Sequence, residues 1–229
     1  MCFEAWAFFP LIRMVKRADL ESEARTFAQQ LTALLNSTVA DGVRIGAITS
    51  DSGATVGLGV KRSNLAPAPV PLTISRAPPR AFLYVSYMFQ WSDDVQGLVV
   101  SSSDFHIYAD EPMEEPIVRF EFERGKEGYP EAHIHVHGDC DALTAICTTT
   151  PQKRLEDLHL PVGGRRFRPT LEDVIEMVIT EGLAESRSGW REAINEGRLR
   201  WERIQLLAAV RKATGEVKDD LRSALSGVE

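Results

Sequence analysis

Three histidines, His133, His135 and His137, alternate with Ile134 and Val136 in the segment "EAHIHVHGD" over 131–139. Alternate residues of a strand point the same way, about 6.6 Å apart. A strand here therefore lines three imidazoles along one face. Imidazole changes charge near neutral pH and is a common ligand of divalent metals. Three chemistries follow: acid–base catalysis on a phosphodiester, a divalent metal site, or phosphoryl transfer through a histidine nucleophile. The non-catalytic alternative is a polar sheet face that serves as an interface. Side chains two apart on a strand both reach one metal, so the metal reading takes His133 and His135 together with Asp139 or Glu121.

The strand that would pair with this one is "PIVRFEFE". It sets Val118, Phe120 and Phe122 on one face against Arg119, Glu121 and Glu123 on the other. Any antiparallel register that buries the phenylalanines merges its charged face with the histidines. One such register puts Glu123 opposite His133, Glu121 opposite His135 and Arg119 opposite His137. A carboxylate beside an imidazole favours the protonated ring and fixes its tautomer. Glu121 thus joins His133, His135 and His137 as a catalytic candidate, and Arg119 is a candidate phosphate ligand. All five histidines fall between 106 and 159.

A second cationic feature lies at "LHLPVGGRRFRPTLED". Between 153 and 168 five Lys and Arg stand against two acids, inside a chain of net charge −7. Gly163 and Gly164 let backbone amides approach an anion, and a helix N-terminus follows. Arg165, Arg166 and Arg168 are read as a phosphate grip, with solvated arginines paired to the chain's own carboxylates as the plain alternative.

Around these segments, residues 18–36 have helical periodicity, and 43–61 read as a hairpin with a Ser-Gly turn. A proline-rich stretch over 64–79 reads as a covering loop with an edge strand at "PLTIS". A short helix is expected at 140–147 and a helix capped by Thr170 after it. A final helix over about 188–213 carries a heptad-like seam: Trp190, Ile194, Gly197, Trp201, Ile204 and Ala208. The fold expected is α+β, an antiparallel sheet, open or of half-barrel form, flanked by an N-terminal helix and C-terminal helices. Residues 1–184 form the α+β domain and 185–229 a helical extension, packed on it or on a partner.

Of the 229 residues 44% are hydrophobic and 26% charged, an ordinary globular balance. The acidic net charge excludes a surface made for nucleic acid as a whole. Three irregularly spaced cysteines argue for a reducing, cytoplasmic setting. The short apolar start, interrupted by Glu4, reads as neither a signal peptide nor a membrane span. Met14 also suits a start. Residues 1–13 are thus either a dispensable extension or an apolar arm that packs Phe3, Trp6, Phe8 and Phe9 on the core.

The motif "HIHVHGD" resembles that of the histidine-triad nucleotide hydrolases and transferases. That resemblance implies His135 as nucleophile with His133 and His137 in support. The combination of "YPEAHIHVHGD" with "LHLPVGGRRFRPTLED" looks like a family of unannotated bacterial and phage proteins, which implies no function. The order of strands, His-x-His and amphipathic helix is similar to the TumE-like ribonuclease toxins. This likeness implies RNA cleavage by His133, His135 or both, and a cognate antitoxin. The expectation is a histidine-dependent nuclease or phosphodiesterase, toxin-like or linked to phage defence, working with no cofactor or with a divalent metal. Its alternatives are a metal-binding or histidine-triad-like hydrolase, and a non-catalytic module. Expected partners are RNA or a nucleotide, an antitoxin or other protein bound through the C-terminal helix, or a second copy of the chain, and no membrane.

Overall fold

A computed structural model describes residues 8–75, 77–92, 97–138, 155–157, 159–162, 168–212, 220 and 222–223. Helix α1 (Phe8–Thr38) buries Leu20, Ala24, Ala28, Leu31 and Leu35, spaced three and four apart on one stripe. It begins ten residues earlier than its periodicity suggested, so residues 8–13 are helical. Residues 1–7 lie outside the described residues. At the other end the Asn36 side chain holds the exit turn. Its amide donates to the Val43 carbonyl at 2.7 Å, and its oxygen accepts from the Val43 N–H at 3.0 Å. Gly42 takes the left-handed conformation there, with φ of 66°.

The sheet is antiparallel and open. Strands β1 (Ile45–Thr49), β2 (Gly53–Leu58), β4 (Phe82–Ser92), β5 (Gly97–Tyr108), β6 (Pro116–Glu123), β7 (Ala132–Val136) and β8 (Leu160–Pro161) follow one another in space. The short β3 (Val70–Pro71) adds to β4 beyond the end of β2. Of the strand expected at "PLTIS", residues 71–75, only Pro71 is in a strand, paired there together with Val70. β1 and β2 form the hairpin read from 43–61. The proline-rich loop covers β2 closely enough that only glycine fits at Gly57. A Cβ there would stand 2.6 Å from the Pro67 ring and 2.8 Å from the Val85 carbonyl oxygen.

One face of the sheet is the core. Leu83, Val85, Phe105 and Ile107 pack under α1, α2 (Leu171–Thr180) and α3 (Trp190–Lys212). Thr170 caps α2 through a capping box with Asp173. Asp173 also accepts from Arg198 of α3 at 2.8 Å, and Arg198 reaches Glu176 as well. The seam of α3 meets the core only in its first half. Trp190 and Ile194 are buried, whereas Ile204 is 52% exposed. Trp190 and Ile194 belong to the same buried cluster as the sheet, so α3 is built onto the domain. The helix expected at 140–147 lies outside the described residues. No helix among the described residues is long and apolar enough to cross a membrane.

Gly57→Ala tests the packing of the proline loop. Overpacking of this kind costs roughly 1–3 kcal/mol, read as a lower denaturation midpoint. An unchanged midpoint would contradict so close an approach.

Candidate functional site

The second sheet face is polar, and it was expected to be open. It is not. His133 and His135 are 2% and 5% exposed, while their apolar neighbours Ile134 and Val136 are only half-buried. The reason is the chain after the histidines. A 3₁₀ turn (Leu155–Asp157), His159 and β8 return beside β7 and close over its end. Tyr129 covers the other side: its ring stacks on His159 at 4.1 Å and meets His133 edge-on at 4.9 Å.

Pairing of β6 with β7 places Glu121 opposite His133 and Arg119 opposite His135. The shared charged face is as expected, in a register two residues away from the one that sets Glu123 opposite His133. Glu123 N–H donates to the Glu131 carbonyl at 2.8 Å, which closes the hairpin one pair earlier. Glu123 thus sits at the mouth of the turn, paired with Lys126, away from the histidines.

Each central imidazole is held by one nitrogen. His133 Nδ1 meets the Pro130 carbonyl at 2.9 Å, and His135 Nδ1 meets the Glu156 carbonyl at 2.5 Å. A carbonyl only accepts, so both Nδ1 atoms carry the hydrogen. The Nε2 atoms then point inward, at 3.4 Å and 3.6 Å from Glu121 Oε2. His137 is turned aside: its Nδ1 donates to the Glu156 carboxylate at 2.7 Å. Glu156 therefore holds two histidines at once, His135 through its backbone and His137 through its side chain.

Glu121 is the centre of this face. Its other oxygen, Oε1, lies 3.3 Å from His106 Nε2 and 3.4 Å from Arg119 Nη1. Burial opposes ionisation of the carboxyl. His106 beside Oε1 and the charge of Arg119 outweigh it and hold the group down at about 2. His106 is itself positioned by Tyr108, whose hydroxyl is 3.2 Å from Nδ1, and by Tyr84, which stacks on the ring. Asp104 lies opposite Glu121 on β5. Burial pushes its carboxyl up to about 6, Glu121 and Glu123 add to the rise, and His106 and Arg119 oppose it.

One ring nitrogen each from His133, His135 and His159 lies within 4.8 Å of the other two. These three are thus the described side chains arranged to share a cation. His159 stands out in the sequence only as one of five clustered histidines. Its role depends on the return of the chain, which no local pattern encodes. Asp139, Arg165 and Arg166 lie outside the described residues. Arg168 is not brought to the histidines. It is buried on the other side of the sheet, over the rings of Phe122 at 4.2 Å and Trp201 at 4.6 Å. No protein-family model matches the chain, and no curated protein or solved structure matches it. The resemblances of its motifs rest on those motifs alone.

Asp104 yields a signed pH prediction. A carboxyl raised to about 6 adds stability that is full below the ordinary 3.8 and is lost as pH rises through about 6. Above that range the fold holds a carboxylate that it disfavours. Asp104→Asn should therefore stabilise the protein by about 1–2 kcal/mol at neutral pH. The gain should vanish in acid, where the wild-type carboxyl is protonated in both states. Denaturation at both pH values checks this; an equal difference at the two would refute it.

Proposed function

We propose that this histidine face hydrolyses phosphodiester bonds. The observation that supports the reading most is the division of labour around one ionised carboxylate. Glu121 turns Oε2 toward two imidazoles whose Nε2 atoms are electron-pair donors, and Oε1 toward Arg119 and His106. The first side generates a nucleophile from water. The second side receives the anion: Arg119 contacts the non-bridging phosphoryl oxygens, and His106 protonates the leaving oxygen. Proton and charge movements then run across strands β5, β6 and β7, whose relative positions are fixed by the sheet.

Arg119 suits an anionic substrate for a further reason. It is 31% exposed, yet its Nε is buried with no hydrogen-bond partner among the described residues. A guanidinium with unused donors beside a half-open face gains most from a planar or tetrahedral oxyanion. The acidic surface disfavours long sequence-independent contact with nucleic acid. The substrate class that fits is thus a small or single-stranded phosphodiester, held at one phosphate.

A chromogenic phosphodiester and a single-stranded RNA oligonucleotide, each with and without divalent cations, test the proposal. Turnover should fall at least ~100-fold in kcat for Glu121→Gln. Arg119→Lys should mainly raise KM, by about 10-fold. Absence of turnover on both substrates, or wild-type turnover by Glu121→Gln, would sink this reading.

A further inference from the structure

The Nε2 atoms of His133 and His135 are aimed at the Glu121 carboxylate. Each Nδ1 is committed to a carbonyl, so each Nε2 is bare unless the ring is protonated. His133 Nε2 is buried without a hydrogen-bond partner among the described residues. A bare imidazole nitrogen 3.4 Å from a carboxylate oxygen is a repulsive contact. A positive charge must occupy the region between them, either as protons on the rings or as a cation.

The rings of His133 and His135 stand 4.9 Å apart, both are buried, and His159 is 4.9 Å and 4.8 Å from them. One divalent ion satisfies the same carboxylate and uses the lone pairs instead of blocking them.

We infer that His133, His135 and His159 bind a single divalent transition metal of the zinc class, with Glu121 facing its open position. The donor set has the features this chemistry needs. Three imidazole nitrogens leave a fourth tetrahedral position for water, the arrangement of catalytic rather than structural zinc. The hydrogen bonds from Nδ1 to the Pro130 and Glu156 carbonyls are the outer contacts that fix tautomer and ring orientation in such sites. In a tetrahedral zinc site ligand nitrogens lie about 3.3 Å apart. The three here lie within 4.8 Å, so closure needs an inward movement of less than about 1 Å per ring. The ion would lower the pKa of a water in that position, with Glu121 facing it, while His106 remains on the far side of the carboxylate. The third ligand is His159, carried in by the returning chain.

This inference deepens the hydrolytic reading and rests on it only for the role of the bound water. The full-length protein is stripped with chelator and titrated with Zn2+ alone by calorimetry. Metal content after dialysis and the visible spectrum of a Co2+ form are also measured. One zinc per chain, a four-coordinate Co2+ spectrum and a higher melting temperature with Zn2+ are expected. His159→Gln and His135→Gln should each weaken zinc binding at least ~100-fold, whereas His106→Gln should keep the stoichiometry. No stoichiometric zinc in the wild-type chain overturns the inference and leaves a protonated histidine pair. Full affinity in a folded His159→Gln variant overturns it too. Stoichiometric zinc without phosphodiester turnover upholds it and removes the hydrolytic reading. Turnover by metal-free protein does the reverse.

Discussion

An ionised carboxylate on a largely covered sheet face is the constraint around which this protein is arranged. Taking Glu121 out of water is unfavourable, and it is tolerated only because positive or hydrogen-donating groups surround it on three strands. His106 comes from β5, Arg119 from its own strand, and β7 brings the Nε2 atoms of His133 and His135, which hold positive charge on the remaining side. No single strand supplies enough compensation. The register of β5, β6 and β7 is therefore also the electrostatic arrangement, and a slip of one residue would bury the charges in the apolar core.

The two faces of the sheet divide the work. Phe105, Ile107, Leu83 and Val85 face three helices, while the residues between them on the same strands face the histidine side. Asp173 illustrates how firmly the helical side is tied, since it closes the α2 cap and receives Arg198 from α3. Phe122 and Trp201 also draw Arg168 to that side, where its charge lies against aromatic rings. The rigid side thus carries the strands, and the polar side is free to hold groups that a core would reject.

Much of this was legible in the residues themselves. Period-two alternation in "RFEFE" and "HIHVH" identified the shared polar face, because facing and period are local properties. Thr170 and the acidic turn after it announced the cap of α2 for the same reason. Which of the registers compatible with that face pairs β6 with β7 was not legible, because loop closure at Glu123 and Glu131 depends on turn geometry rather than on hydrophobicity. His159 was not singled out, and Arg168 was expected near phosphate. Both depend on where a long connection returns, which composition does not encode. The α3 seam keeps its helical spacing past the core, where Ile204 is exposed among the described residues, a reminder that periodicity reports a face and not what covers it.

Glu156 ties these observations to the order in which the molecule is put together. Strands β4 to β7 are joined by hairpin-type turns, so their contacts are short-range and form early. The Glu156 carbonyl that fixes His135 lies 21 residues downstream, and His159 follows it. During synthesis strands β1 to β7 emerge before this covering segment, and the histidine face lacks its cover until the segment arrives. Opening the segment later would remove one ring from the cluster and free the tautomer of another. The helices and the apolar core would stay in place, so the cluster can be dismantled without unfolding the domain that carries it.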